Sequence, residues 1–365
     1  MTESGVNLRG LRQHNRAMLL TAIRRAGGLS RVELAGRSGL TQQAVSKIVP
    51  ELIAAGLLDE QQLPAAGVGK PRIRLAIRPE ARYALGAQLD RDEVQVVLTD
   101  LLGAVVAVTT AALPPGFPPA EGVAAIGLGV DRLCAGIDKT RVLGLGVGAT
   151  GPLDHRTGMV RDATHQPAWH DVPLRDLLTA RTGFDVVVDK DTNAAAFAHQ
   201  WQTDGPTPAT AVVLVGTGIG VGLLIGGRLY RGPRTNAGEF GHTTLSYDGP
   251  RCPCGRRGCV EVLHNLAKSP EEAARLLGIG LADLVQVLDL ERIVLAGRAV
   301  RAAPTIYAEA VAAQLAEQLP APHWQRIRLD VSELGEDVVA IGAAAEVLSV
   351  FYAEPQMTGG SPPAQ

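Results

Sequence analysis

"HTTLSYDGPRCPCGRRGCVE", residues 242–261, puts three of the four cysteines of a 365-residue chain within eight positions, with a histidine ten residues ahead of the first. Around it the composition is globular, 46% hydrophobic and 20% charged. No apolar run is long enough to span a bilayer, and residues 1–10 lack the apolar core of a secretory signal. A cytoplasmic protein without a membrane partner is expected. In a reducing compartment a tight cysteine cluster points to a metal site or a redox motif before a disulfide.

Charge divides the chain unevenly. Residues 1–78 carry twelve Lys or Arg against five Asp or Glu, and the remainder carries 23 against 32. A basic block ahead of an acidic body points to a polyanionic partner for the first part. Leu11, Met18, Leu19, Ala22 and Ile23 have the spacing of an amphipathic helix, which Gly27 and Gly28 end. Ser30 and Glu33 have the spacing of a capping box for a second helix, "RSGL" at 37–40 turns the chain, and Thr41 can cap a third. Two helices joined in this way read as helix-turn-helix.

In the third helix Ala44, Val45, Ile48, Leu52 and Ile53 can face inward. Gln42, Gln43, Ser46 and Lys47 are then left exposed at the N-terminal end, where base edges are read. Pro50 falls inside this helix, so a bend or an early end is expected there. "LLDEQQLPAAGVGKPRIRLAI" (57–77) alternates as two short strands, with Lys70, Arg72 and Arg74 on or beside their tip. That completes a winged helix suited to double-stranded DNA; the alternative is a small helical domain with a solvated charged surface.

From residue 79 strands and helices alternate. "ARYALGAQLDRDEVQVVLTDLLGAVVAV" (81–108) reads as three strands with turns, "DVVVDKDTNAAAFAHQW" (185–201) as a strand opening a helix, and "TAVVLVGTGIGVGLLIGG" (210–227) as two strands around a Gly-rich turn. Cys134, on the apolar side of a helix, reads as a buried small hydrophobe.

The winged helix together with "DTNAAA" (191–196), "GTGIGVG" (216–222), "AGEFGH" (237–242) and "CPCGRRGCVE" (252–261) resembles the ROK family of repressors and sugar kinases, over residues 9–352. The resemblance implies an α+β winged helix at 1–78, followed at 79–365 by a two-lobed α/β domain of the actin-like, hexokinase-like (ribonuclease H-like) type. Lobe one would take about 79–190 plus a C-terminal helix at 336–353. Lobe two would take about 191–335, including the loop 242–261.

His242, Cys252, Cys254 and Cys259 supply one nitrogen and three sulfurs, a set suited to a closed tetrahedral zinc site of structural type. Gly255 and Gly258 let the backbone fold back between the thiolates. The resemblance puts this loop beside a sugar pocket, with Glu239 and Glu261 flanking the ligands and accepting hydrogen bonds from neighbouring sugar hydroxyls. His242 could also present the far side of its ring to the sugar. Asp191 matches the family's catalytic base, and the turn from Gly148 through Thr150 to Gly151 matches a backbone contact to the sugar. Two positions depart from the family: Lys190 and His165 stand where it usually has asparagine, which opens the pocket to an acidic or phosphorylated sugar.

Phosphoryl transfer needs a phosphate cradle. Where the family has Asp-x-Gly-Gly-Thr, this chain has Asp90, Arg91, Asp92 and Glu93, whose side chains would block a phosphate and whose extra carboxylates would repel it. The turn Thr217 to Gly220 survives, but "LAGRAV" (295–300) follows its single glycine, Gly297, with Arg298. A sugar-responsive, DNA-binding repressor without kinase activity is the expectation, acting as a homodimer or tetramer. An ATP-dependent sugar kinase with an accessory DNA-binding domain is the alternative, and a constitutive DNA-binding protein with a decayed pocket is a third reading.

Overall fold

A computed structural model describes residues 8–63, 72–163, 166–203, 207–320 and 326–352. The chain begins with three helices, α1 (Leu8–Arg25), α2 (Arg31–Ser38) and α3 (Gln42–Ala54), then a hairpin of β1 (Leu58–Leu63) and β2 (Arg72–Ile77) paired antiparallel. Local chemistry sets these boundaries. Ser30 accepts from the Glu33 N–H while Glu33 accepts from the Ser30 N–H at 2.8 Å, a reciprocal cap that fixes the start of α2. Gly39 closes α2 at φ 69°, and Thr41 caps α3 through the Ala44 N–H at 3.2 Å.

Pro50 does not end α3, which runs on to Ala54. Pro50 is exposed, whereas Val45, Ile48, Val49 and Leu52 are buried on the other side of the helix. Burial of that face offsets the lost backbone hydrogen bond.

The body follows in two five-stranded sheets and a small third one. The first strands are β3 (Tyr83–Leu89), β4 (Glu93–Asp100) and β5 (Val105–Ala112), succeeded by α4 (Pro119–Leu133) and β6 (Val142–Ala149). A small sheet of β7 (Leu153–Asp154), β8 (Met159–Asp162) and β9 (His170–Val172) precedes α5 (Leu174–Thr182) and β10 (Val186–Lys190). Strand order in the large sheet is β10-β6-β3-β4-β5. Cys134 caps α4 and is buried in the core between α4 and this sheet.

Next come α6 (Asp191–Gln202), β11 (Thr210–Val215), β12 (Ile219–Ile225), β13 (Arg228–Leu229), α7 (Val260–Asn265) and α8 (Pro270–Leu288). The chain is completed by β14 (Arg292–Ala296), α9 (Arg298–Ala302), α10 (Pro304–Gln318), β15 (Arg328–Val331) and α11 (Val338–Tyr352). The second sheet has the order β13-β12-β11-β14-β15.

Helices α6 and α11 pack on each other, α11 also on β3 and β6, and α6 also on β11 and β12. Such a shared layer demands close backbone approach. A Cβ on Gly86 or Gly146 would sit 1.9 Å from the Ala340 or Ala343 carbonyl of α11, so only glycine fits on these strands. Among the described residues no helix is long and apolar enough to cross a membrane.

The winged helix is not a separate bead. Its core residues Leu19, Ile23, Leu52 and Leu75 belong to one apolar cluster with Ala84 and Val97 of the first sheet, Leu101 just after β4, and Ala344, Leu348 and Tyr352 of α11. Thr21 donates to the Tyr352 carbonyl at 3.1 Å, and the Arg24 guanidinium lies 3.8 Å from the centre of the Trp201 ring.

Candidate functional site

A cleft of about 300 Å³ lies between the sheets, lined from both sides and floored by Val338 and Val339 of α11. At one end stands the junction of β10 and α6. Burial pushes Asp191, the first residue of α6, up to about 6, partly offset by the adjacent Lys190. Lys190 is itself buried, and its Nζ donates to Glu239 Oε1 at 2.5 Å and to the Ala237 carbonyl at 3.1 Å. Glu261, on the first turn of α7, is also buried and accepts from the Ile219 N–H at 2.8 Å. Thr150, Lys190, Asp191, Glu239, His242 and Glu261 all line the cleft.

The cysteine loop adjoins this end. His242, Cys252, Cys254 and Cys259 bring one ligand atom each to within 4.8 Å of the others. Cys254 Sγ lies 3.7 Å from Cys259 Sγ, and Cys252 Sγ lies 3.7 Å from His242 Nδ1. A tetrahedron with metal–sulfur bonds of about 2.3 Å has edges of about 3.8 Å, so the donor set fits a zinc ion. Gly258 makes the fold-back possible: its φ is +56°, and a Cβ there would lie 1.7 Å from the Ser246 carbonyl.

Several residues named from the sequence fall elsewhere. Gly148 does not line the cleft; it is buried in β6, where a Cβ would press within 2.5 Å of Val339. Its role there is packing. Lys190 is not a free cation waiting for an acidic sugar, because Glu239 holds it. His165 and Lys70 lie outside the described residues. In the winged helix Gln42, Gln43, Ser46 and Lys47 are exposed on the first turns of α3. Arg72 is the first residue of β2, while Arg74 folds back onto the Gly27 carbonyl at the end of α1 instead of extending beyond the hairpin.

Across the same cleft Asp90 and Asp92 meet Arg298, which bonds to both. The reading of this region as a repulsive acidic patch is therefore corrected: Asp90 and Asp92 are paired with Arg298.

A buried triad escaped the sequence reading altogether. Arg231 donates to Asp189 at 2.5 Å and to Glu346 at 2.8 Å, joining β10, the loop after β13 and α11 behind the cleft. Burial, and then the Asp189 carboxylate, hold Glu346 well above the usual carboxylate range. The available signal was a lone carboxylate within the apolar run "VVAIGAAAEVL" (338–348), which needs a partner when buried.

Fold and site thus define a winged helix fused to a two-lobed, actin-like and hexokinase-like body. The MarR family pattern matches residues 11–67, and that of the ROK family matches residues 90–267. The xylose repressor of Caldicellulosiruptor bescii is 23% identical over 95% of this chain and 98% of its own length. A solved ROK family transcriptional regulator, a homolog of the E. coli MLC protein, superposes with a TM-score of 0.74 over 94% of this chain and 97% of its own at 21% identity. The ROK hexokinase from Thermus thermophilus is 30% identical, with a TM-score of 0.59 over 72% of this chain and 96% of its own. The chain belongs to the ROK family.

Proposed function

We propose that this protein is a sugar-responsive transcriptional repressor: its winged helices bind operator DNA as a dimer, and its cleft binds a sugar without phosphorylating it. The observation that carries the reading is the arrangement at the cysteine-cluster end of the cleft. Lys190 offers donors beside the Glu239 acceptor, and Asp191 and Glu261 add further acceptors within the same cleft. Neighbouring hydroxyls each donate and accept, so this alternation suits a neutral polyol better than a ligand carrying its own negative charge. The similarity to a xylose repressor over nearly the whole chain supports the same reading.

His242, Cys252, Cys254 and Cys259 would hold a structural zinc ion, which keeps Glu261 and the His242 ring in place. Bound zinc supplies rigidity here and no reaction step. Helix α11 connects the ligand to the DNA. Its first turn floors the cleft, its last residue packs on α1, and its 15 residues span about 22 Å. A lobe movement that tilts α11 changes the setting of the winged helix, and with it the match between two recognition helices and two half-sites.

Thermal-shift screening of neutral sugars, sugar acids and sugar phosphates, followed by operator competition, tests this reading. Absence of any sugar that changes operator affinity would refute it. The second reading, a kinase with a DNA-binding head, draws on Asp191, which stands in the cleft with a pKa of about 6, suited to a base. ATP-dependent sugar phosphorylation above that of Asp191→Ala would establish it.

A further inference from the structure

Beside Glu261 the cleft is bridged by the protein's own side chains. The turn between β3 and β4 carries Asp90, Arg91 and Asp92; facing it from the other sheet are Thr217 and Gly218 of the β11–β12 turn and Arg298 at the start of α9. Arg298 donates to Asp92 Oδ2 at 2.8 Å from Nη1, and to Asp92 Oδ1 at 2.7 Å and Asp90 Oδ2 at 3.0 Å from Nη2. Thr217 Oγ1 likewise donates to Asp90 Oδ1 at 2.5 Å, and in the reverse direction Arg91 Nη1 donates to the Thr217 carbonyl at 2.8 Å. The Arg91 guanidinium also covers Gly218, where a Cβ would lie 2.9 Å from its Nη2.

We infer that Arg298, Asp90 and Asp92 form an interlobe latch, and that Arg91 occupies the glycine turn that a phosphate would otherwise enter. Each lobe donates to the other and accepts from it, so the contact is specific to one register of the two turns. Bidentate geometry on Asp92 and the low exposure of Asp90 set it apart from an ordinary surface pair, whose worth is small. The hydrogen bond from Arg298 holds Asp92 below the usual carboxylate range, consistent with a formed pair. A latch of this kind holds the two lobes in one setting without a nucleotide. Any ligand-driven movement of the lobes then works against this bridge. This inference rests on the proposed ligand response only for its physiological meaning; the latch itself exists without sugar or DNA.

Hydrogen–deuterium exchange on the full chain, at low salt and without ligand, reads the latch directly. The Asp90 and Gly216 amides, bonded to the Glu93 and Gly218 carbonyls, report on the two turns. Arg298→Asp places a third acid beside Asp90 and Asp92 and should speed exchange at both turns by about tenfold. Adding Asp92→Arg to that variant restores the pair with its charges reversed and should return the rates to within about threefold of wild type. If Arg298→Asp fails to fold, as judged by far-UV circular dichroism, Arg298→Gln takes its place and should still speed exchange about threefold. Unchanged exchange in the folded single variant, or a double variant no closer to wild type than the single, overturns the latch. Neither result depends on finding a sugar, so failure of the latch and failure of the proposed function are separable.

Discussion

Lys190 Nζ lies 2.5 Å from Glu239 Oε1, with the lysine side chain only 3% exposed and the glutamate 32% exposed. Removing one member of a pair with a buried cation leaves the other without its counter-charge. Lys190→Met should therefore destabilise the protein by about 1 to 2 kcal/mol, a figure reduced from fully buried pairs because Glu239 remains partly solvated. Urea unfolding followed by circular dichroism gives the value, and a loss below a few tenths would mean that the pair is energetically idle.

Asp191 makes stability depend on pH. Its folded pKa of about 6 exceeds the ordinary 3.8, so between about pH 4 and 6 the folded chain binds more protons than the unfolded chain. Stability should fall as pH rises through that window, with the full penalty present above it. Asp191→Asn should flatten this part of the profile and gain up to about 3 kcal/mol over wild type at neutral pH. Urea midpoints measured from acid to neutral pH decide the point, and parallel profiles for the two proteins would exclude it.

The cysteine loop should bind about one zinc ion per chain, measured by mass spectrometry under native conditions. Cys259→Ser, or stripping with a strong chelator, should lower the melting temperature by several degrees and weaken sugar binding by about tenfold or more through Glu261. Full sugar affinity in metal-free protein would separate the loop from the pocket.

On the winged helix, Lys47→Ala should weaken DNA binding evenly across sequences and reduce the salt slope by about 1, as expected for a phosphate contact. Gln43→Ala should instead cost about 1 to 3 kcal/mol at its preferred base and relax specificity there. Fluorescence anisotropy over a panel of duplexes and salt concentrations distinguishes the two patterns.

Local chemistry was legible in the sequence because its signals lie a few residues apart. The Ser30–Glu33 cap, the Thr41 cap and the exposure of Gln42, Gln43, Ser46 and Lys47 follow from spacing alone. The same holds for convergence of His242 with the three cysteines, since turns fixed by Gly255 and Gly258 bring them together. What spacing could not supply was pairing across the fold. Arg298 and Asp92 are 206 positions apart, and each in isolation looks like damage to a nucleotide site; only the topology makes them complementary. Likewise the Arg231 partners Asp189 and Glu346 lie on different elements and meet only once α11 packs beside β10. Pro50 misled for the opposite reason: a strong local rule was overridden by the buried face of α3.

The apolar cluster shared by α1, the first sheet and α11 has a practical consequence for anyone dissecting this protein. A cut at residue 78 would leave Ala84, Val97, Leu101, Ala344 and Leu348 without their cover, and a body expressed alone would carry a greasy scar prone to self-association. The winged helix and the two-lobed body share one interior, so neither can be lifted out without wounding the other.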